Sequence, residues 1–542
     1  MSGSLPNHPN FDQLRRRAKE LRDALRAGDR AAVDRVRRTI GPESDVPAKL
    51  STAQLVIARE LGYASWPKLK AEVESRLATR PERVRAFLLA SCQQHFMPGT
   101  AVRDARAARL LADDPTLATH DIRTAAVLGE VEHVRRLLAT DPDLVNRPDP
   151  ESGAPPLVFV CLSQWHRVDP GRTNGMLEVA RSLLDAGADP NASIDSPPWP
   201  SDCSPLYAAA GLANNPPIAQ LLLERGADPD TEKALYHTAF HPDHECLRLL
   251  LAHGATAEGG DALAGAITTR DVGAVRLLLE AGVDPGQRLG GALGERYDDR
   301  PPIGPVYAAI EFDCPPELVG ALLEHGSDPD TPGWSSPDEW QSPYRLALRR
   351  GRTDLVEILQ RFGATDDTDD VDRLLAACAQ ADRALAEHIA TKGAVLDQLS
   401  DADRGAALIH AADSGQVEAV RLMLDLGFDV DARGRDQGET ALHMAAASGS
   451  AELVRLLVER GAELDIRDRT FGSTPLCWAT VGSGLRLGRN PYPDRVGTVR
   501  TLLDAGASTD GVWLSPEKSP SEEVAEVLRE YGVPEPVDES SD

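Results

Sequence analysis

One short phrase recurs along this chain of 542 residues, and it restricts the fold more than any other feature. It is clearest at Gly438–Asp465. Two apolar segments there, Ala441–Ser448 and Leu453–Val458, are separated by Gly449, which suits a tight turn with positive φ. Each segment has its apolar residues at helical spacing but is too short to be a stable helix alone in water. The pair must therefore bury its faces against similar neighbours, as in a stacked repeat array.

Such neighbours are present along most of the chain. The apolar run that ends in glycine recurs at nine places, which are Gly187, Gly226, Gly254, Gly282, Gly326, Gly363, Gly427, Gly461 and Gly506. The spacing from Gly427 to Gly461 is 34 residues. The start of the first segment also recurs, as SPLY at Ser204, SPYR at Ser342, TALH at Thr440 and TPLC at Thr474.

These starts resemble the Thr-Pro-Leu-His start of ankyrin repeats, whose period is about 33 residues. The resemblance runs from about residue 104 to residue 535. It implies an all-α, ankyrin-like helical-repeat solenoid of roughly eleven helical pairs, with long finger insertions and a small N-terminal helical domain. It implies almost nothing about function, because a fold does not fix a function.

We predict three segments, namely an N-terminal helical module or cap (1–80), the solenoid (81–535) and an acidic disordered tail (536–542). Residues 1–80 hold 16 basic and 10 acidic residues, which leaves 42 basic and 75 acidic residues in the remainder. Within the module, LVIARELGYASWPKLKAEV suggests a DNA-binding helix-turn-helix that offers Lys68 and Lys70. Two lysines without a base-reading side chain make a poor footprint, so a cap on the array is favoured. The module resembles the N-terminal region of many bacterial ankyrin-repeat proteins.

Composition restricts the cellular compartment and the kinds of partner that we expect. The seven cysteines are scattered without a CxxC pair, which indicates a reducing compartment and neither a disulfide framework nor a zinc site. Without a signal peptide's apolar core or a run of about 18 apolar residues, we expect a cytoplasmic protein without a membrane partner. The acidic array disfavours nucleic acid and favours a partner with basic patches, although solubility alone would also explain the charge.

Chemical motifs are scarce. The one metal-like cluster, YHTAFHPDHEC, contains His237, His241, Asp243, His244 and Cys246. His237 and His241 are four residues apart and would share a helix face, but Pro242 breaks that helix and Cys246 falls at a buried aliphatic position. We predict no metal and no cofactor. In the absence of a nucleophile elbow, P-loop or HExxH motif, a non-catalytic protein is favoured, while catalysis stays open.

Three long fingers between repeats carry unusual aromatic residues. The fingers are Asn191–Cys203, Gly286–Gly304 and Thr331–Gln341, and they hold Trp199, Tyr297, Trp334 and Trp340. Aromatic residues make up only 4% of the chain, so tryptophans in polar, proline-rich loops favour a binding role. The alternative is that each tryptophan folds back onto its own finger.

The ankyrin pattern implies that two residues after the Ala-Ala of each first helix face the groove. Carried over, they are Phe240 and His241, Arg349 and Arg350, and Ala447 and Ser448. The predicted binding residues are therefore Trp199, Phe240, His241, Tyr297, Trp334, Trp340, Arg349 and Arg350. They would form one continuous site, in which the two arginines either seat an anionic group of the ligand or pair with nearby finger carboxylates.

These observations favour a non-catalytic scaffold that binds a protein or peptide along the concave ankyrin face. The alternative is a small-molecule-binding or catalytic pocket enclosed by the long fingers, and a weaker alternative is a DNA-binding N-terminal module. An open groove would favour the scaffold, and a deep closed pocket would favour the alternative. The irregular unit Val371–Gly393 also predicts unfolding in more than one step, because it weakens coupling between the two halves.

Overall fold

The structure is a computed structural model. It describes every residue except 1–4, 6–8, 42–47, 93–99, 196, 198–201, 231–232, 257–260, 291–292, 294–300, 337–338, 393, 435–437, 486–492, 513, 515–519 and 534–542. The predicted binding residues Trp199 and Tyr297 and the predicted acidic tail 536–542 lie outside the described residues.

Four helices form the N-terminal part. They are α1 (Phe11–Arg26), α2 (Arg30–Ile40), α3 (Leu50–Glu60) and α4 (Trp66–Leu77). They pack around buried residues of their own, including Ala18, Val56 and Leu69. Arg35 on α2 and Glu60 on α3 form two hydrogen bonds of 2.7 Å, which fix these helices side by side. The division at residue 80 and the roles of cap or DNA-binding module stay predictions.

Twelve helical pairs follow within the described residues, one more than the roughly eleven predicted. The first six are α5 (Arg80–Ser91) with α6 (Thr100–Asp113), α7 (Ile122–Leu128) with α8 (Val131–Thr140), α9 (Pro156–Leu162) and the short α10 (Trp165–Val168) with α11 (Thr173–Asp185), a π-helical turn (Tyr207–Leu212) with α12 (Pro216–Glu224), α13 (Ala234–Thr238) with α14 (Glu245–Ala252), and α15 (Asp261–Thr268) with α16 (Val272–Glu280). We call the two members of a pair its first and second helix.

The last six pairs continue the same order. They are α17 (Pro305–Glu311) with α18 (Pro316–Glu324), α19 (Pro343–Arg349) with α20 (Thr353–Arg361), α21 (Asp370–Ala379) with α22 (Arg383–Ala390), the short α23 (Val395–Gln398) and α24 (Asp401–Asp413) with α25 (Val417–Asp425), α26 (Ala441–Ala447) with α27 (Ala451–Glu459), and α28 (Pro475–Leu485) with α29 (Arg495–Asp504). A last helix, α30 (Glu522–Glu530), covers α29. The prediction of an all-α helical-repeat solenoid is confirmed.

The fingers are closed by short antiparallel pairing. In the third finger, β1 (Gly333–Ser336) and β2 (Glu339–Gln341) form a hairpin with Trp334 opposite Trp340. Isolated bridges join Ile194 to Cys203 in the first finger and Leu289 to Ile303 in the second.

The recurring start motif holds consecutive repeats together. The backbone N–H of Thr440 donates to His443 Nδ1 at 3.1 Å, and Nε2 of the same ring lies 3.1 Å from the carbonyl oxygen of Ser473 in the next repeat. The backbone of Gly449 has φ of +71°, as the tight turn requires. One imidazole thus caps its own helix and binds the following finger.

The fourth pair contains one additional residue. Its left-handed turn residue, Asn214, comes ten positions after Ser204, whereas Gly449 comes nine positions after Thr440. The π-helical turn at Tyr207–Leu212 accommodates the extra residue without shifting the second helix.

The apolar core of the array is divided between α20 and α21. One cluster of buried residues runs from Val84 to Leu359, and a second runs from Val371 to Val533. The division coincides with the start of the unit that we predicted to weaken coupling. That unit still forms a regular pair, in which Ala381, with φ of +55°, occupies the turn position that Gly449 holds in the eleventh pair.

Ionic contacts replace apolar contacts at this division. The side chain of Asp372 on α21 is fully buried and lies 2.9 Å from Arg345 Nε on α19. Arg349 contacts the same carboxylate and also pairs with Asp403 on α24 at 3.0 Å. We call these four residues the junction network. The amide of Asp372 donates to Asp369 at 3.0 Å, which caps α21.

In the described part of the chain, no helix combines the length and apolar character that a membrane span needs.

Candidate functional site

A pocket of about 260 Å³ lies along the first helices of five consecutive pairs. Within the described residues its lining comes from first helices, from fingers and from the turns that follow first helices. Representative lining residues are Glu311, Arg349, Leu375, Ala406 and Met444, one from or next to each first helix, and Gln341 from the third finger. Since packed helices are spaced by about 8–10 Å, five of them extend over roughly 35 Å. The pocket is therefore part of a long groove, which we call the central groove.

The two predicted arginines both line the central groove, and both already have partners. Arg349 belongs to the junction network. Arg350 Nη1 donates to the carbonyl oxygens of Ile310 and Glu311 at 2.7 and 2.8 Å, and Nη2 donates to Glu311 Oε2 at 2.8 Å. Their carboxylate partners lie on helices, and the prediction of pairing with finger carboxylates was wrong in this respect. The pairs form because stacked first helices bring residues that are 23, 39 or 54 positions apart in sequence within side-chain reach.

The bonds from Arg350 belong to a recurring pattern. In each case a side chain that follows a first helix donates to the carbonyl end of the preceding first helix. The four cases are Arg172 to Leu128 at 2.9 Å, His241 to Gly211 at 2.8 Å, Arg350 to Ile310 at 2.7 Å and Arg495 to Ala447 at 3.3 Å. Carbonyl groups at a helix end have no donor within the helix, and a guanidinium cation also suits the negative end of the helix dipole. The Ile310 oxygen additionally accepts from the Asp313 N–H at 3.0 Å. We call these contacts the inter-repeat caps.

His241 and Phe240 lie in the fifth pair, away from the described lining of the central groove. His241 is buried and forms an inter-repeat cap. Phe240 is half-buried, and its ring meets that of Tyr236 edge to face at 5.0 Å between centroids. The residues predicted to form one continuous site thus fall into two separate groups in the described structure. Phe240 and His241 lie in the fifth pair, and Arg349 and Arg350 line the central groove.

The metal-like histidines do not share a helix face as predicted. Helix α13 ends at Thr238, because the chain turns there before His241. His237 instead directs Nδ1 at the Lys233 carbonyl oxygen at 2.9 Å, and His244 pairs with Asp271 at 2.8 Å. The described part of the chain contains no group of three or more side chains arranged to hold a metal ion.

The two tryptophans of the third finger have different surroundings. Trp334 is half-buried against the apolar core, and its indole N–H donates to the Pro301 carbonyl oxygen in the second finger at 3.0 Å. It also lines the central groove. Trp340 is 46% exposed. Trp334 therefore links two fingers, whereas the ring of Trp340 is exposed to solvent.

The charge of the groove favours a cation. Among the described residues, the lining contains the carboxylates of Glu311, Asp403, Asp413 and Glu439 and two guanidinium groups, those of Arg349 and Arg350. Both guanidiniums are neutralised by partners within the protein. An anionic ligand group, which we predicted these arginines to seat, would meet a negative surface.

Two amide side chains in the groove each have one buried atom without a hydrogen-bond partner among the described residues. They are Gln341, which is only 5% exposed and whose buried Nε2 has no acceptor, and Gln416, whose buried Oε1 has no donor. Buried polar groups are nearly always paired in native proteins, so these two amides indicate a place where a ligand can bind. The sequence did not single them out, because a glutamine in a finger or a helix cap carries no recognisable motif.

Burial keeps several histidines of the array neutral. It lowers the pKa of His166 to about 4, with the nearby Arg167 adding to the effect. It also lowers the pKa of His237, His241 and His443. Because the unfolded chain binds protons at about pH 6.5 and the folded chain only at lower pH, the free energy of unfolding should fall as pH decreases below about 6.5.

We expect this loss to be measurable by urea unfolding between pH 7 and pH 5.5, where most carboxylates remain ionised. His166 alone should contribute on the order of 1 kcal/mol by pH 5.5. His166→Gln should flatten the pH dependence, because it removes the imidazole whose pKa burial lowers. Equal pH dependence in the parent and in His166→Gln would contradict the assignment.

Comparison with known proteins identifies the repeats. The family described as ankyrin repeats (3 copies) matches residues 206–288, 374–468 and 408–510. The probable E3 ubiquitin-protein ligase XBOS31 of Oryza sativa subsp. japonica is 30% identical over 146 residues. That match covers 26% of this chain and 29% of the length of the ligase.

Proposed function

The chain is an ankyrin-repeat protein, and from this premise we propose that it is a non-catalytic scaffold that binds a protein or peptide partner. The partner would lie along the concave face, in the central groove. The observation that supports this most is the origin of the lining, which comes from the first helices of five consecutive pairs and from fingers. An extended segment of about ten residues would cover roughly 35 Å at about 3.3 Å per residue.

The small-molecule or catalytic alternative needs a chamber closed beneath the three long fingers. Among the described residues, only the third of these fingers contributes to the lining, through Trp334 and Gln341. A lining spread over five repeats suits an extended partner better than a compact ligand.

Filling the groove tests the proposal. Ala406 lines the groove and is exposed, so Ala406→Trp should obstruct a bound peptide while leaving the fold intact. Ala384, exposed on the second helix α22 of the same region, provides the matched control Ala384→Trp. Twelve-residue random peptides displayed on phage would be selected on the parent protein. Fluorescein-labelled copies would then be measured by fluorescence anisotropy.

We expect Ala406→Trp to weaken binding at least tenfold and Ala384→Trp to change it less than twofold. Circular dichroism would verify that both variants are folded. If all the selected peptides bound Ala406→Trp as tightly as the parent, the groove would not be the binding site.

Trp340 should act as an anchor if the partner crosses the third finger. Trp340→Ala is expected to weaken binding of the selected peptides by about 2 kcal/mol with stability unchanged, because the ring is exposed. Trp334→Ala should weaken binding too, but it should also lower the free energy of unfolding, because the indole links two fingers. Unchanged affinity in Trp340→Ala would show that this part of the third finger does not contact the peptides.

A further inference from the structure

The charge of the central groove restricts what can occupy it. Arg350 is paired with Glu311 at 2.8 Å, and Arg349 is shared between Asp403 at 3.0 Å and the buried Asp372. Among the described lining residues, four carboxylates stand against two guanidiniums, so this set of residues is net negative. A positively charged group entering it gains electrostatic energy, which is strengthened where the surface is concave and partly shielded from water.

The unpaired amides add a second, independent restriction. Gln341 Nε2 requires an acceptor, and Gln416 Oε1 requires a donor. A peptide backbone supplies both kinds of group, carbonyl oxygens and N–H groups, along its length. Because a buried polar group without a partner is destabilising, pairing these amide atoms with a ligand backbone favours binding.

The apolar part of the lining restricts the occupant further. Leu346, Leu375 and Met444 lie in the same pocket as the carboxylates. Lysine and arginine combine a methylene stem with a cationic end, and such side chains bury the stem against apolar groups while the charge stays near polar ones.

On the basis of the proposed function, we infer that the occupant of the central groove is an extended peptide segment carrying a lysine or arginine side chain. Its cationic end lies among the groove carboxylates, which include Asp413 and Glu439, and its stem lies on the apolar part. Its backbone pairs with Gln341 and Gln416. Gln341 in the third finger and Gln416 in the turn after α24 thus contact different residues of the same extended segment.

The test uses the full chain and the phage-displayed twelve-residue random peptides. The selected peptides that Ala406→Trp excludes should share a lysine or arginine. Replacing that residue with norleucine, which keeps an apolar stem and removes the charge, should weaken binding at least tenfold. Glu439→Gln combined with Asp413→Asn should weaken it at least tenfold as well. Glu452→Gln, exposed on the second helix α27, should change it less than twofold.

Gln341→Leu separates a ligand-binding role from a structural one. If the Gln341 amide binds the backbone of a peptide ligand, this variant should bind the selected peptides at least fivefold more weakly. Its thermal stability should be equal to that of the parent or higher. Peptides that Ala406→Trp excludes, but that bind equally well without their basic residue, would overturn the inference and leave the scaffold proposal standing. If Ala406→Trp excluded none of the selected peptides, both would be overturned.

Discussion

Asp372→Ala is expected to lower the free energy of unfolding by about 3–5 kcal/mol, because it removes the fully buried carboxylate that two partly buried arginines share. Arg345 and Arg349 would then lie close together without their common counter-charge. The loss falls where the apolar core is divided, so the two halves of the array should also become less coupled. Urea unfolding followed by hydrogen-exchange mass spectrometry would report on peptides from α9 and α27 separately.

The matched control is Asp354→Ala, which removes a 45% exposed carboxylate paired with Arg352 at 2.8 Å. Exposed pairs contribute about 0–1 kcal/mol, so this variant should remain close to the parent. In Asp372→Ala the α9 and α27 regions should unfold at different urea concentrations, extending the multi-step unfolding predicted for the parent. One sharp transition common to both regions would contradict the division of the core.

Gly129→Ala should be the second severe substitution, with a loss of about 2–4 kcal/mol. Gly129 has φ of +73°, a conformation that costs alanine about 1 kcal/mol. An added Cβ would also lie 2.5 Å from Met176 N and 2.7 Å from the carbonyl carbon of Gly175. These are backbone atoms at the start of α11, so relief requires moving that helix, at about 1–3 kcal/mol.

Gly187→Ala isolates the conformational part of this effect. Gly187 has φ of +96°, but no heavy atom lies within 4 Å of the position its Cβ would take. Chemical unfolding should therefore show a loss of about 1 kcal/mol for this control. Equal losses in the two variants would mean that α11 moves away from the added Cβ of Gly129→Ala without a further loss of stability.

Local features of the fold were predictable from sequence because they depend on neighbouring residues. The segments predicted at Ala441–Ser448 and Leu453–Val458 correspond to α26 (Ala441–Ala447) and α27 (Ala451–Glu459). Thr440 was identified as the start of the recurring TALH motif, and the structure shows it as part of a capping box with His443. Each of these features rests on a glycine turn or a short polar cap within a few residues.

The site was predicted only in part, because its lining joins residues that are more than a hundred positions apart. Arg349 and Arg350 were placed in the groove by the repeat pattern, and the structure places them in its lining. Asp372 was missed, although Asp369 three residues earlier gave the signal of a capping box. In a chain with 85 acidic residues, one buried carboxylate has no distinguishing sequence signal.

The inter-repeat caps all run in one direction along the sequence, from a later repeat to the one before it. The carbonyl end of each capped first helix is completed by a side chain from the following repeat, as Arg495 does for Ala447. A ribosome delivers the repeats in order from the N-terminus. A newly made repeat of this kind therefore has an unfinished helix end until the next one has emerged. During synthesis the completed structure stays one repeat behind the exposed chain, and a premature stop leaves an uncapped helix at the break.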